Sequence, residues 1–433
     1  MDINGLPDDL LVKILSFLPT KVAVSTCVLS KRSEFLWLWL PNLEFECDWD
    51  PRPGLLGDFI NKKLPLHRAP VIETLRLHPA WNPHIKPEIA VSRHVRELEL
   101  DYYSENENLF PSSLFTCKSL VTLKLNPATL KDVPTRVCLP SLKNLQLQTQ
   151  LFFEDGKSLQ QLLSGCPVLE DLSVQFPYND NIREFTISIP SLQILSLLLH
   201  MNGNINRYEI DTPSLKYLKL VDWNNREHYS FIKNMPKLRE AYVDVGYSNL
   251  KNLIIGSIIF TSVKRLTICS SEGSYGDGCV FKELEQLNLC VCRNNSLNLL
   301  GQLLKGSPNL RVLDISAMKD HLGDEPNGIV CSNQLSSIPE CLLSSLHIFN
   351  CSPYFGTPQD RDIAVYILKN ARHLKKATFL ADTWDTVVPK LQMIKELRLS
   401  PRASSTCELI FAEDLDHIER LEGLDVFFCI KKL

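Results

Sequence analysis

The spacing apolar-x-x-apolar-x-apolar recurs along this chain at nearly constant intervals, and no other feature limits its fold as strongly. It stands at Ile72/Leu75/Leu77, Val95/Leu98/Leu100, Leu120/Leu123/Leu125, Leu142/Leu145/Leu147 and Leu169/Leu172/Val174. It continues at Leu192/Leu195/Leu197, Leu215/Leu218/Leu220, Leu238/Ala241/Val243, Val263/Leu266/Ile268, Leu284/Leu287/Leu289 and Leu310/Leu313/Ile315. Less regular copies follow at Leu343/Leu346/Ile348, Leu374/Ala377/Phe379, Ile394/Leu397/Leu399 and Leu421/Leu424/Val426. The last two apolar positions of a triplet lie two apart, so they share one face of a short strand, while the first anchors the turn before it. A single unit cannot bury enough apolar surface alone. The units must stack, which predicts an α/β solenoid, curved, with a parallel sheet along its concave face.

The mean interval of about 25 residues falls inside the period of leucine-rich repeats. Pro140, Pro167, Pro190, Pro213, Pro236 and Pro308 each stand two residues before a triplet, where proline closes the preceding segment. The returning segments differ. Ser158 to Pro167 and Leu299 to Pro308 read as short helices with glycine stops at Gly165 and Gly306, whereas Phe185–Ile189 and Tyr208–Ile210 alternate with period two and read as extended returns.

The remaining composition excludes more than it suggests. With 44% hydrophobic and 22% charged residues and a net charge of only −4, nothing points to nucleic acid or to a membrane surface. No cationic leader precedes an apolar stretch, and no apolar run approaches the roughly 20 residues of a membrane span. The expected location is the cytoplasm, the nucleus or both. The fourteen cysteines then read as free thiols, and without a CxxC pair they make no case for metal, the closest pair being Cys290 and Cys292. There is no GxxxxGK[ST], HExxH or GxSxG, so no catalytic residue and no cofactor is expected. The glycine-rich Gly273 to Gly278 lacks the strand-loop-helix setting of a phosphate site and reads as an insertion loop.

The first fifty residues follow another pattern. Pro7 starts a helix whose apolar face is Leu10, Leu11, Ile14, Leu15 and Leu18, with Asp8 and Asp9 at its positive end and Pro19 as its stop. Thr20 opens a second helix, Lys21 to Leu29, expected to bury Val24 and Val28, and Ser30 opens a third carrying Phe35, Leu36, Trp37 and Trp39. Three such short helices make little core of their own. They suit either a partner interface or a cap on the solenoid.

Leu6-Pro7-Asp8-Asp9-Leu10-Leu11, Ile14 to Lys21 and Val28-Leu29-Ser30-Lys31-Arg32 resemble the F-box of plant proteins. Leu162 to Leu172, Pro339 to Leu346, Ile367 to Ala371 and Ser400 to Ser404 are similar to the plant F-box/FBD/LRR family. The resemblance implies a three-helix F-box at 1–47, a linker at 48–70, a repeat solenoid at 71–335, FBD-like repeats at 336–411 and an extension with a last strand at 412–433. It also implies a non-catalytic substrate-recognition subunit of a cullin-RING ubiquitin ligase of the SCF type. Its F-box docks on a Skp-family adaptor, and through it on cullin and RING subunits, while the repeats hold an unidentified protein target. By this resemblance the adaptor contacts fall on Leu6, Pro7, Leu10, Leu11, Ile14, Leu15, Leu18, Pro19, Val24, Val28, Leu29 and Arg32. Ser33 and Val22 depart from the family, which usually carries Trp and Asp there. A scaffold or a small-molecule co-receptor outside any ligase is the other class.

On the strands, the positions flanking the triplet leucines face solvent. Glu97, Glu99 and Asp101 form an acidic row beside Lys124 and Gln146, and these five are the candidate target contacts. The acidic row would select a basic peptide, or would simply pair with Arg76 on the preceding strand.

Overall fold

The computed structural model describes residues 5–46, 55–78, 94–101, 110–126, 133–148, 156–176, 182–201, 203–224, 228–233, 235–245, 261–270, 280–290, 296–316, 318, 321, 337–354, 356–381 and 390–412. The chain divides into two units, Met1–Met235 and Pro236–Leu433. The glycine-rich stretch 273–278, Cys292 and the triplet at Leu421 lie outside the described residues.

The first unit begins with helices α1 (Asp8–Leu15) and α2 (Thr20–Ser25), then 3-10 turns at Thr26–Val28 and Ser33–Trp39. Strands β1 (Asn42–Glu46), β2 (Thr74–His78), β3 (Glu97–Asp101), β4 (Thr122–Asn126), β5 (Asn144–Leu147), β6 (Asp171–Phe176), β8 (Ile194–Leu199) and β10 (Tyr217–Asp222) pair in parallel in that order. Helix α3 (Leu55–Lys63) follows β1 and α4 (Gly156–Ser164) precedes β6. The expected extended returns are strands β7 (Glu184–Ser188) and β9 (Arg207–Asp211), joined by β11 (Tyr229–Ile232) in a second parallel sheet. The second unit repeats the plan with parallel strands β12 (Glu240–Val245), β13 (Arg265–Ser270), β14 (Gln286–Cys290), β15 (Val312–Ser316), β16 (Ile348–Tyr354), β17 (Lys376–Ala381) and β18 (Glu408–Ala412). Its helices are α5 (Ser296–Gly306), α6 (Glu340–Ser344), α7 (Pro358–Asn370) and α8 (Lys390–Leu399).

The triplets carry the core, as their spacing predicts. Every member from Ile72 to Ile315 is buried, and in register each leucine meets its counterpart, as Leu195 meets Leu172 and Leu218. Burying one such side chain is worth about 1.5–3 kcal/mol. A serine just ahead of a triplet adds a repeated tie, because its hydroxyl donates to the carbonyl of the preceding triplet's first residue. Ser119 reaches Val95 O at 3.0 Å, Ser191 Leu169 O at 2.7 Å, Ser262 Leu238 O at 3.0 Å and Ser345 Leu310 O at 2.9 Å. Gly165 does end a helix, but the demand on it is close approach: an added Cβ would stand 2.4 Å from Val137 Cγ1.

Four expectations are corrected. The array starts one unit earlier, at Leu40/Leu43/Phe45 on β1, which pairs with β2. The irregular triplet after β15 is Leu346/Phe349/Cys351 rather than Leu343/Leu346/Ile348, since Phe349 and Cys351 pair with Leu313 and Ile315. Ile394/Leu397/Leu399 lies in helix α8, where Met393 and Leu397, one turn apart, are buried and Leu399 is exposed. From Leu55 on, the stretch 48–70 is no linker: Phe59 of α3 stacks on Trp37 at 5.6 Å and meets Phe45 edge-on, with Ile60 and Leu64 buried beside them.

Candidate functional site

The N-terminal helices are held together by few contacts. Pro7 precedes α1 as its N-cap, and Leu15 alone of that helix is buried. The Arg32 guanidinium reaches back to Asp8 Oδ1 and donates to Leu6 O, tying the 3-10 region to the start of α1. Thr20 lies one residue inside α2 and its hydroxyl accepts the Glu44 N–H of β1 at 2.8 Å, fixing α2 to the first strand. Ser30 accepts the Ser33 N–H at 3.0 Å, and its hydroxyl meets that of Ser33. The second helix is shorter than expected, because the chain tightens into a 3-10 turn at Thr26.

This arrangement turns most of the apolar side chains outward. Leu10, Ile14, Leu18 and Pro19 are exposed, Val28 is 87% and Leu29 76% exposed, while Leu6, Leu11 and Val24 are half-buried and Pro7 is exposed. Val28, expected inside, is thus the most open of them. Leu15 lies in the module's own core, and Arg32 is engaged within the chain, so neither belongs to the outer apolar surface. Phe17 (79% exposed), Val22, Phe35 and Trp39 are exposed too. The adaptor contacts implied by the resemblance leave these four out, and Phe17 falls off the period of the α1 face. Among the described residues, nine of the eighteen exposed large hydrophobic side chains lie between Leu10 and Trp39.

The other candidate face lies on β3, β4 and β5. Glu99 stands between two cations, 3.4 Å from Arg76 Nε and 3.3 Å from Lys124 Nζ, and Arg76 also lies 3.6 Å from Glu44. His78 lies 3.6 Å from Asp101, and Thr74 donates to Glu97. The acidic row is therefore largely met by the chain's own cations and donors, as pairing with Arg76 predicts. Glu99, Asp101, Lys124 and Gln146 line one shallow depression; Glu97 lies outside its lining. Its volume of ≈ 40 Å³ is far below the about 300–1,000 Å³ of small-molecule sites.

Residues 3–45 match the F-box domain, 87–261 the LRR repeats of FBD-associated F-box protein At5g56370, and 334–379 the FBD domain. FBD-associated F-box protein At5g38590 of Arabidopsis thaliana is 62% identical over 404 residues, covering 91% of this chain and 97% of that protein. Putative FBD-associated F-box protein At5g38570 of the same plant is 63% identical over 421 residues, covering 95% and 99%. The chain belongs to the FBD-associated F-box family. In this F-box/FBD protein the F-box match ends inside β1, so the F-box shares its last residues with the first strand of the array. The FBD match takes in α6, β16 and α7 and most of β17, two strands of the same parallel sheet. Helix α7 starts on a capping box, Thr357 with Asp360, behind Pro358. Among the described residues no helix is long and apolar enough to cross a membrane.

Proposed function

We propose that this chain is the substrate-recognition subunit of an SCF-type ubiquitin ligase. The F-box docks on a Skp-family adaptor, which connects it to cullin and RING subunits, and the repeats bind a protein target for ubiquitination. The observation that carries this reading is the apolar surface of the first forty residues. A chain that buries every triplet residue from Ile72 to Ile315 leaves Leu10, Ile14, Phe17, Leu18, Val28 and Leu29 in water, and a clustered apolar surface of this kind marks an interface with another protein. The chain's task is binding at both ends, with the transfer chemistry supplied by the other subunits. Glu97, Glu99, Asp101, Lys124 and Gln146 are the proposed target contacts. Their shallow, ion-paired face suits a polar protein surface better than a small molecule.

The test is co-purification of the full-length chain with a panel of Skp-family adaptors. Val28→Asp with Leu29→Asp places two carboxylates in the proposed contact and should weaken binding at least about 100-fold, in keeping with the loss of hot-spot side chains. The same change at Leu391 and Leu399, exposed on α8, should leave it intact. Ser33→Trp should tighten it. Point changes are the right tool, because deleting residues 1–47 would strip Trp37 and Phe45 from the core around Phe59. If neither the natural chain nor Ser33→Trp binds any adaptor, or if the double aspartate variant binds as well as the parent, the reading fails.

A further inference from the structure

The outward face of the second unit changes character at one row. On β12, β13 and β14 the outward positions are Glu240 and Tyr242, Arg265 and Thr267, Gln286 and Asn288, and all are half-buried or exposed. One step further along, Asp244 pairs with Cys269, and Cys290 directly follows Leu289, the partner of Ile268; Asp244 and both cysteines are buried. Met318 and His321, which follow β15, are buried with them. His321 Nδ1 stands 3.5 Å from Cys269 Sγ and 3.5 Å from Cys290 Sγ. Its other nitrogen, Nε2, stands 3.1 Å from Asp244 Oδ2. Met318 packs in the same cluster, and its backbone N–H donates to Cys290 Sγ at 3.4 Å.

Other buried cysteines of this chain behave differently. Cys166 and Cys341 donate to the carbonyls of Leu162 and Leu304, both at 3.3 Å, and burial pushes each thiol up to about 12. They are neutral S–H groups packed as small apolar residues. Cys269 and Cys290 instead converge on an imidazole nitrogen. A carboxylate beside Nε2 favours the proton on that nitrogen and leaves Nδ1 its single lone pair. One lone pair accepts one S–H, yet two sulfurs stand at the same distance from it. A cation placed among the three atoms satisfies all of them. With Zn–S near 2.3 Å and Zn–N near 2.0–2.1 Å, tetrahedral geometry puts sulfur and nitrogen about 3.6 Å apart, close to the separations found here. All three ligand atoms lie within 4.8 Å of one another.

We propose that Cys269, Cys290 and His321 form a binding site for a thiophilic d10 cation, zinc foremost, with Asp244 orienting the imidazole. The two thiols release their protons to solvent on binding, so cation and thiolates neutralise one another inside the protein. The fourth position falls to the Met318 thioether of the same cluster or to water. The ion fastens a residue 31 positions beyond Cys290 onto two adjacent strands, just ahead of the segment that matches FBD. No sequence motif announces the site, because its ligands are separated by long spans.

The experiment uses the full-length protein, reduced and stripped with a chelator, and titrated with Co²⁺ without oxygen. One equivalent should bind with thiolate-to-cobalt absorption in the near ultraviolet and the strong visible bands of a tetrahedral ion. Added Zn²⁺ should bleach both and raise the thermal midpoint. Cys269→Ser, Cys290→Ser and His321→Gln should each weaken binding at least about 100-fold, since each removes a ligand. Asp244→Asn should weaken it about 10- to 100-fold, as loss of an outer partner does. Cys138→Ser, at an exposed cysteine, should change nothing. His321→Gln alters a single residue beyond β15, so its secondary structure, followed by circular dichroism, separates loss of ligand from loss of fold. Absence of the tetrahedral spectrum in the parent protein overturns the proposal, as does its persistence in both Cys269→Ser and His321→Gln. So does recovery of a Cys269–Cys290 disulfide in place of bound metal.

Discussion

Replacing Asp222 by alanine tests whether a buried polar network, rather than leucine packing alone, holds the second sheet of the first unit in place. Asp222 ends β10, and its carboxylate accepts from three donors: the Tyr208 hydroxyl of β9 at 3.1 Å, His228 Nε2 at 2.7 Å and the Asn224 N–H at 3.2 Å. The His228 and Asp222 side chains are 0% and 1% exposed. Burial first, then the charge of Asp222, holds the Tyr208 hydroxyl well above its ordinary range, so it remains a donor. Each buried donor deprived of its acceptor costs about 1–3 kcal/mol. Because the three losses share one carboxylate they do not add fully, and the expected destabilisation is about 3–5 kcal/mol. That is a large part of a typical stability of about 5–15 kcal/mol. Asp222→Asn keeps the shape but turns one acceptor into a donor, and should cost about 1–2 kcal/mol. The assay is urea unfolding of the full chain, with hydrogen exchange followed at Ile210 and Ile232 to localise the opening to β9 and β11. Arg96→Ala, which removes an exposed pair with Glu73, should cost no more than about 1 kcal/mol. A loss at Asp222→Ala no larger than that at Arg96→Ala refutes the reasoning.

Other outcomes follow from the same structure. Leu218→Ala should cost about 2–5 kcal/mol through the cavity left between Leu195 and its neighbours, while Lys219→Ala, one residue along and on the other face, should stay within about 0.5 kcal/mol. Equal shifts in thermal midpoint would contradict the register. Burial raises the Asp171 carboxyl from 3.8 to about 6, so the folded state binds its proton more tightly than the unfolded chain. Its ionisation therefore lowers stability progressively as pH rises from about 4 to about 6, and Asp171→Asn should flatten that slope and stabilise the protein at pH 7 by about 1–2 kcal/mol, read by unfolding at several pH values. Overproduction of the Val28→Asp/Leu29→Asp variant, with its repeats intact, should lengthen the half-life of captured targets, whereas the parent should shorten it. No change with either protein would detach the repeats from target turnover.

The repeat was legible because alternating burial on a strand is a local property, written into every third and fifth residue from Ile72 to Ile315. The F-box helices were legible for a similar reason, in Pro7 and in the period of Leu11 and Leu15. Spacing alone failed where one pattern serves two structures: Ile394/Leu397/Leu399 satisfies a strand triplet, but burial of Met393 and Leu397 on one helical face prevailed. It failed again at Val28, since a periodic valine is the same letter whether its face meets a core or the solvent, and only the packing of Trp37 and Phe45 on Phe59 shows which groups the module covers for itself. The clusters around Asp222 and around His321 belong wholly to the tertiary structure. His228 lies 6 residues from Asp222, but His321 lies 52 residues from Cys269 and meets it only because the parallel pairing of β13, β14 and β15 brings the segment after β15 back beside the end of β13.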